Sequence, residues 1–192
     1  ADVSFIVLLN DWGDQEVDAI KRRLYPNDCS PKSIPDKILP ARALLLAGIA
    51  AGVAALAIAA GATQLLDRPY LLLMAATGQL VFIAYTLPPL SLNYRGGGEL
   101  LEMIGVGGVL PMLHAYAQSG IVAADWLCAL LPGVLLLALA SAIASGLSDE
   151  NSDRIGGKRT VVTTFGNVAA RRLIERLVVF AALAWAAVAL VE

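Results

Sequence analysis

Charge is scarce in this sequence. Only 16% of its 192 residues are Asp, Glu, Lys or Arg, 58% are hydrophobic, and mean hydropathy is +0.70. That balance excludes a soluble domain and indicates a polytopic membrane protein. Cysteine is nearly absent: Cys29 and Cys128 stand apart with no pairing or metal-ligand spacing, which leaves them as small packing residues. The single histidine, His114, lies in an apolar run, where it is either a functional group or, the favoured reading, hydrogen-bonded inside a helix bundle. A formal net charge of −2 says little about partners, and no nucleic-acid partner is expected. Signal-peptide features are missing too: Ala1–Asn10 has no initiating Met, basic n-region or cleavage site. These residues make about half of a membrane crossing, so the chain is expected to start inside a helix that begins before Ala1.

What is present is a series of uncharged runs. Val3–Asn10 reads as the tail of a first membrane helix, and Ala43–Leu66, Tyr70–Leu92, Met103–Ala124 and Trp126–Leu147 as four full crossings. The first of these is rich in Ala and Gly, which let neighbouring helices approach closely. Leu177–Val191 is a last apolar segment, short unless its helix starts upstream, with Arg171, Arg172 and Arg176 anchoring it at an anionic surface. Leu24–Pro40 holds four prolines and reads as a structured surface loop, either a lid or an inert connector. Asn93–Gly98 reads as a flexible polar turn whose glycines could cradle a phosphate.

The few charges are concentrated. Asp11, Asp14 and Asp18 are spaced to share one helix face, and Asp149 and Asp153, four apart, do the same. Carboxylate oxygens suit hard cations such as Mg²⁺, which is usually shared with substrate phosphates. Lys21, Arg22, Arg23, Lys158 and Arg159 follow closely and can contact phosphate oxygens. Both clusters end crossings, where the helix dipole disfavours negative charge, and bunched carboxylates repel unless a cation neutralises them. The combination describes a diphosphate site. Counting crossings puts both clusters on one membrane side, together with every Lys and Arg except Arg68. The positive-inside bias makes that side the cytoplasm, hence a multi-pass protein of the cell inner membrane. Tyr85, Tyr94 and Phe82 either line a cavity or simply pack.

These residues resemble the UbiA superfamily of intramembrane prenyltransferases. Asn10-Asp11-x-x-Asp14-x-x-x-Asp18, with Arg23 downstream, matches its first acidic signature. Asp149-x-x-x-Asp153-Arg154-x-x-Gly157-Lys158-Arg159-Thr160 is similar to the second in the menaquinone-pathway branch, as is Tyr94-Arg95-Gly96-Gly97-Gly98-Glu99. The resemblance implies an all-α transmembrane bundle, one prenyltransferase domain over 1–192, here without the family's first helix and its last two. It also implies Mg²⁺ held by Asp11, Asp14, Asp18, Asp149 and Asp153, which serve as catalytic residues. Asn10, Lys21, Arg23, Tyr85, Tyr94, Arg95, Arg154, Lys158 and Arg159 would bind substrate, Tyr85 or Tyr94 offering π density to an allylic cation. The implied partners are a polyprenyl diphosphate donor, an aromatic acceptor and the lipid bilayer. The first choice of acceptor is 1,4-dihydroxy-2-naphthoate; the alternatives are hydroxybenzoate, homogentisate, a chlorophyllide, haem or a glycerol-phosphate lipid. Ser91 follows Pro88-Pro89-Leu90 where chlorophyll synthases carry Lys. A non-catalytic transporter or cation-binding scaffold is the rival class; it calls for ionisable residues near the bilayer midplane.

Overall fold

A computed structural model describes residues 2–122 and 125–190. Every regular element among them is helical, in keeping with the expected all-α bundle. Apolar chain has little alternative in lipid, where each backbone N–H and C=O must be bonded within its own segment. α1 (Asp2–Gly13) runs almost unbroken into α2 (Gln15–Leu24), because the Asp14 amide still donates to Asn10 O (2.9 Å) and the Asp18 amide to Asp14 O (2.8 Å). α3 (Ala41–Leu65) and α4 (Leu71–Thr86) follow, then the short α5 (Leu92–Arg95). α6 (Gly98–Ile104), a π-helical turn over Gly105–Val109 and α7 (Leu110–Ser119) form one continuous rod. α8 (Asp125–Ser145), α9 (Glu150–Ile155), α10 (Val161–Phe165) and α11 (Asn167–Ala189) complete the described chain. α3, the α6–α7 rod and α8 are each long and apolar enough to cross a bilayer, and α4 is a shorter apolar helix. The protein is an integral membrane protein.

Several boundaries depart from the sequence reading. The expected crossing Tyr70–Leu92 stops at Thr86, since Leu87 turns extended (ψ 146°) ahead of Pro88-Pro89, which cannot donate to a helix. In the supposed flexible turn Asn93–Gly98, Asn93, Tyr94 and Arg95 instead belong to α5, which Gly96 ends at φ +93°, a conformation glycine adopts without strain. Consequently the third span begins at Gly98, not Met103, and ends at Ser119; Ala123 and Ala124, in the expected run, lie outside the described residues. The last helix begins at Asn167, well before Leu177. His114 is exposed on α7 and not hydrogen-bonded within the bundle, because its neighbours Leu113 and Tyr116 take the inward face.

Small residues set the packing distances. Gly48 and Gly52 of α3 lie directly against Leu9 and Phe5 of α1; a Cβ at either glycine would fall 2.6 Å from those side chains. The Gly52 carbonyl also accepts from Gln79 Nε2 of α4 (2.9 Å), which ties three helices together. α8 and α11 meet at Gly133, under the Trp185 ring, whose indole N–H donates to Leu130 O (3.0 Å). A Cβ at Gly133 would lie 2.2 Å from Trp185 Nε1. Gly133→Ala is therefore expected to destabilise by about 1–3 kcal/mol. Gly61→Ala, at a helical position open around its Cβ, should leave stability unchanged or raise it by up to about 1 kcal/mol. Thermal unfolding in detergent checks both; equal midpoints would contradict the packing assignment.

Candidate active site

The structure brings both acidic segments to one end of the bundle, where α2 packs against α9. Asp14 sits at the α1–α2 joint and Asp149 caps the start of α9, so both carboxylates leave the helices at the membrane boundary. Asp14, Asp149 and Asp153 line one polar cavity of about 250 Å³, with Asn10, Asn93 and Lys158. Each of three lysines, from three different segments, reaches a different carboxylate. Lys158 Nζ lies 2.7 Å from Asp14 Oδ2, Lys32 Nζ lies 2.6 Å from Asp18 Oδ1, and Lys21 contacts both Asp149 and Ser148. Hence Asp14, Asp18 and Asp149 are each neutralised by an ammonium group. Among the described residues, no three carboxylates or other metal-ligating side chains are gathered around one point.

Asp153 is only 5% exposed. Burial pushes its carboxyl up to about 6, Lys158 pulls it back, and Asp149 and Asp14 add to the rise. Burial likewise raises the pKa of Asp18, against the opposing hydrogen bond from Lys32. Beside Asp14, Asn93 is buried; its Nδ2 lies 3.4 Å from Asp14 Oδ1, while its Oδ1 is sealed from solvent with no hydrogen-bond partner. An orphaned amide oxygen among carboxylates supplies the hard donors that a divalent cation takes. The residues present thus fit Mg²⁺ chemically.

A second, apolar cavity, also about 250 Å³, adjoins the first. Phe5, Ile6, Phe82, Val106 and Leu113 are among its walls, and Asn10, Tyr85 and Glu102 line both cavities. The Tyr85 ring stacks on Phe82 (centroids 6.1 Å apart, planes at 24°), so it is held flat within the apolar wall. Each cavity alone is small for a ligand; adjoined, they reach the usual range.

Other candidates are placed elsewhere. Asp11 and Asp18 face the proline-rich loop, where Ser33 Oγ donates to Asp11 Oδ2 (2.5 Å) and Lys32 pairs with Asp18. The loop therefore covers the first motif and is no inert connector. Arg22 holds it folded, donating to Pro26 O, Cys29 O and Ser30 O and pairing with Asp36. Tyr94 lines neither cavity: Lys158 Nζ sits 4.9 Å over its ring, and its hydroxyl donates to Gly13 O (3.4 Å). Burial raises the Tyr94 phenol, with Asp14 adding to the effect. Arg23, Arg95 and Arg159 are exposed, and Arg154 is tied to Glu150 (2.9 Å). Arg159 contributes through its backbone, whose N–H donates to Tyr94 O (3.1 Å). This bond docks the Lys158 segment onto α5.

Sequence reasoning passed over Lys32, Ser33, Asn93 and Glu102. Lys32 and Ser33 lie in a loop whose folding over the acids is a long-range event. Asn93 was hidden in a presumed turn. A signal for Glu102 did exist, since an acid inside a span is a functional hypothesis by default, but starting that span at Met103 left Glu102 outside it.

Fold and site together define a polytopic membrane-helix bundle with two facing acidic motifs at one end, above an apolar cavity. The profile of the UbiA prenyltransferase family matches residues 3–192, and the chain belongs to that family. It is similar to the chloroplastic chlorophyll synthase of Oryza sativa subsp. japonica, with 31% identity over 160 residues, 82% of this chain and 40% of the relative. It is also similar to the 1,4-dihydroxy-2-naphthoate octaprenyltransferase of Escherichia coli (strain K12), with 29% identity over 178 residues, 86% of this chain and 54% of the relative. The chain thus spans about half the length of these curated relatives. No solved structure matches it.

Proposed function

We propose that this protein transfers a polyprenyl group from a polyprenyl diphosphate to an aromatic acceptor within the membrane. The observation that carries this reading is the junction of a carboxylate-and-lysine cavity with an apolar one at the end of the bundle. Diphosphate suits the first, an isoprenoid chain the second. We place the site on the cytoplasmic side of the cell inner membrane, because all Lys and Arg but Arg68 lie at its end. Of the acceptors, 1,4-dihydroxy-2-naphthoate ranks first, supported by the form of the second motif and by the octaprenyltransferase relative.

Asp14 with the orphaned Asn93 oxygen, and Asp149 with Asp153, would offer ligands to Mg²⁺ from different walls of the polar cavity. When bound, the metal neutralises charge on the leaving diphosphate. Lys158 and Lys21, now paired with Asp14 and Asp149, are placed to donate to phosphate oxygens as those carboxylates engage the substrate complex. Lys32 does the same from the covering loop. Tyr85 offers its π face where the allylic carbon sits, and the apolar walls keep water from the cation.

Membranes incubated with labelled geranylgeranyl diphosphate, Mg²⁺ and a panel of aromatic acceptors should yield prenylated naphthoate, lost on chelation. No product from any acceptor would overturn the reading. Lys32→Ala is expected to raise the KM for the donor about tenfold, the scale of one charged hydrogen bond, with membrane insertion unchanged. An unaltered KM would return the loop to a purely structural role.

A further inference from the structure

Glu102 lines the polar cavity but has no part in the diphosphate site described above. It lies in α6, inside a membrane span, and lines both cavities, a position it shares only with Asn10 and Tyr85. Its neighbour on the same helix, Glu99, is committed: Oε1 accepts the Val161 amide (2.6 Å) and so holds the start of α10. By contrast, among the described residues no hydrogen bond or ion pair reaches the Glu102 carboxylate. A carboxylate in that position has no packing role to explain it.

The place where it sits is chemically special. If phosphates occupy the polar cavity and the isoprenoid the apolar one, the bond between them, the one that breaks, lies at their junction. A ring carbon attacking there brings its substituents against Asn10, Tyr85 and Glu102. An amide has no affinity for a proton at neutral pH, and the Tyr85 hydroxyl already carries one. Glu102 alone can take one away.

We propose that Glu102 accepts the proton of a hydroxyl on the acceptor ring. This rests on the prenyl-transfer reading above. The donor C–O bond breaks with both electrons leaving on diphosphate. The acceptor O–H proton passes to a Glu102 oxygen as a ring carbon bonds to the allylic carbon, giving a ring ketone. Glu102 returns that proton to the ketone oxygen and removes the proton on the alkylated ring carbon, which restores the aromatic ring. One proton and one diphosphate are released per transfer.

The test uses the purified protein in nanodiscs, with geranylgeranyl diphosphate and either 1,4-dihydroxy-2-naphthoate or its dimethyl ether. Glu102→Gln is expected to lower kcat with the free hydroxyls about 10²-fold, the scale of a general base, with the donor KM within about twofold of the parent. The ether should slow the parent protein similarly. Combining Glu102→Gln with the ether should cost clearly less than the product of the two separate losses, because both remove the O–H proton transfer and only the later ring C–H step still depends on Glu102. Losses that multiply, or a Glu102→Gln variant as fast as the parent, would overturn the proposal. Mg²⁺-dependent thermal protection by an unreactive thio-analogue of the donor separates this from the parent reading. Protection kept in Glu102→Gln but lost in Asp14→Ala is the expected pattern. Protection retained in Asp14→Ala would instead sink the diphosphate site while leaving the kinetic test of Glu102 standing.

Discussion

Asp14→Ala and Asp153→Ala should each lower prenyl transfer about 10²–10³-fold while the protein still inserts into membranes, the range seen when a charge-stabilising group is removed from a reaction site. Asp14 joins three parts of the chain: it sits at the α1–α2 joint, contacts Asn93 of α5 and holds Lys158 beyond α9. Its loss leaves Lys158 without its carboxylate and removes one wall of the polar cavity. Asp153 faces the same cavity from α9, the other acidic segment. Neither side chain belongs to an apolar core cluster, so insertion should survive. Rates are measured with saturating donor and Mg²⁺, and yields from membranes are compared alongside. Normal transfer in either variant would remove the site assignment.

The second large effect has the opposite sign. Asp153→Asn should make the metal-free protein more stable at pH 7.5, by on the order of 2 kcal/mol, although it abolishes activity. Burial raises the folded-state pKa of Asp153 to about 6, against an ordinary 3.8. The folded state thus binds this proton more tightly than the unfolded chain does. The cost of ionising Asp153 is absent below 3.8, grows between 3.8 and about 6, and is complete above that. An uncharged Asn escapes it, at the expense of the attraction to Lys158. Unfolding midpoints in chelator should therefore separate the two proteins at pH 7.5 and converge as pH approaches 4. A variant less stable at every pH would mean that the Lys158 attraction outweighs burial. Function is then kept at the expense of stability, as is common at reaction sites.

Much of this was legible in the chain. The spacing of Asp11, Asp14 and Asp18 gave a helix face, and the clustering of bases after each acidic run gave the phosphate chemistry. Counting apolar runs placed both acidic segments at one end, where the Lys21–Asp149 pair now joins them. Other features depend on partners far along the chain. Nothing local in Pro31-Lys32-Ser33 says that it folds back onto Asp18 and Asp11. Arg154 and Arg159, by contrast, look like anion ligands from their motif, yet one is spent on Glu150 and the other points outward. Glycine misled as well. Gly96-Gly97-Gly98 reads as a break because glycine costs about 1 kcal/mol in a helix, but Gly98 is buried against Asn93 and Tyr85, and the rod starts there.

The wide turn at Gly105–Val109 sets the phase of that rod. A π turn accommodates one residue more than an α turn while the backbone ladder stays closed. Each residue advances a regular helix by about 100°. Deleting one glycine between 105 and 108 would thus rewind the turn and swing Glu102 roughly a quarter-revolution away from Leu113 and Tyr116. The far half of the rod could keep its seat against α4 while the near half lost its aim. Three glycines and two valines thereby act as the gearing between a greasy stem and a chemically armed tip.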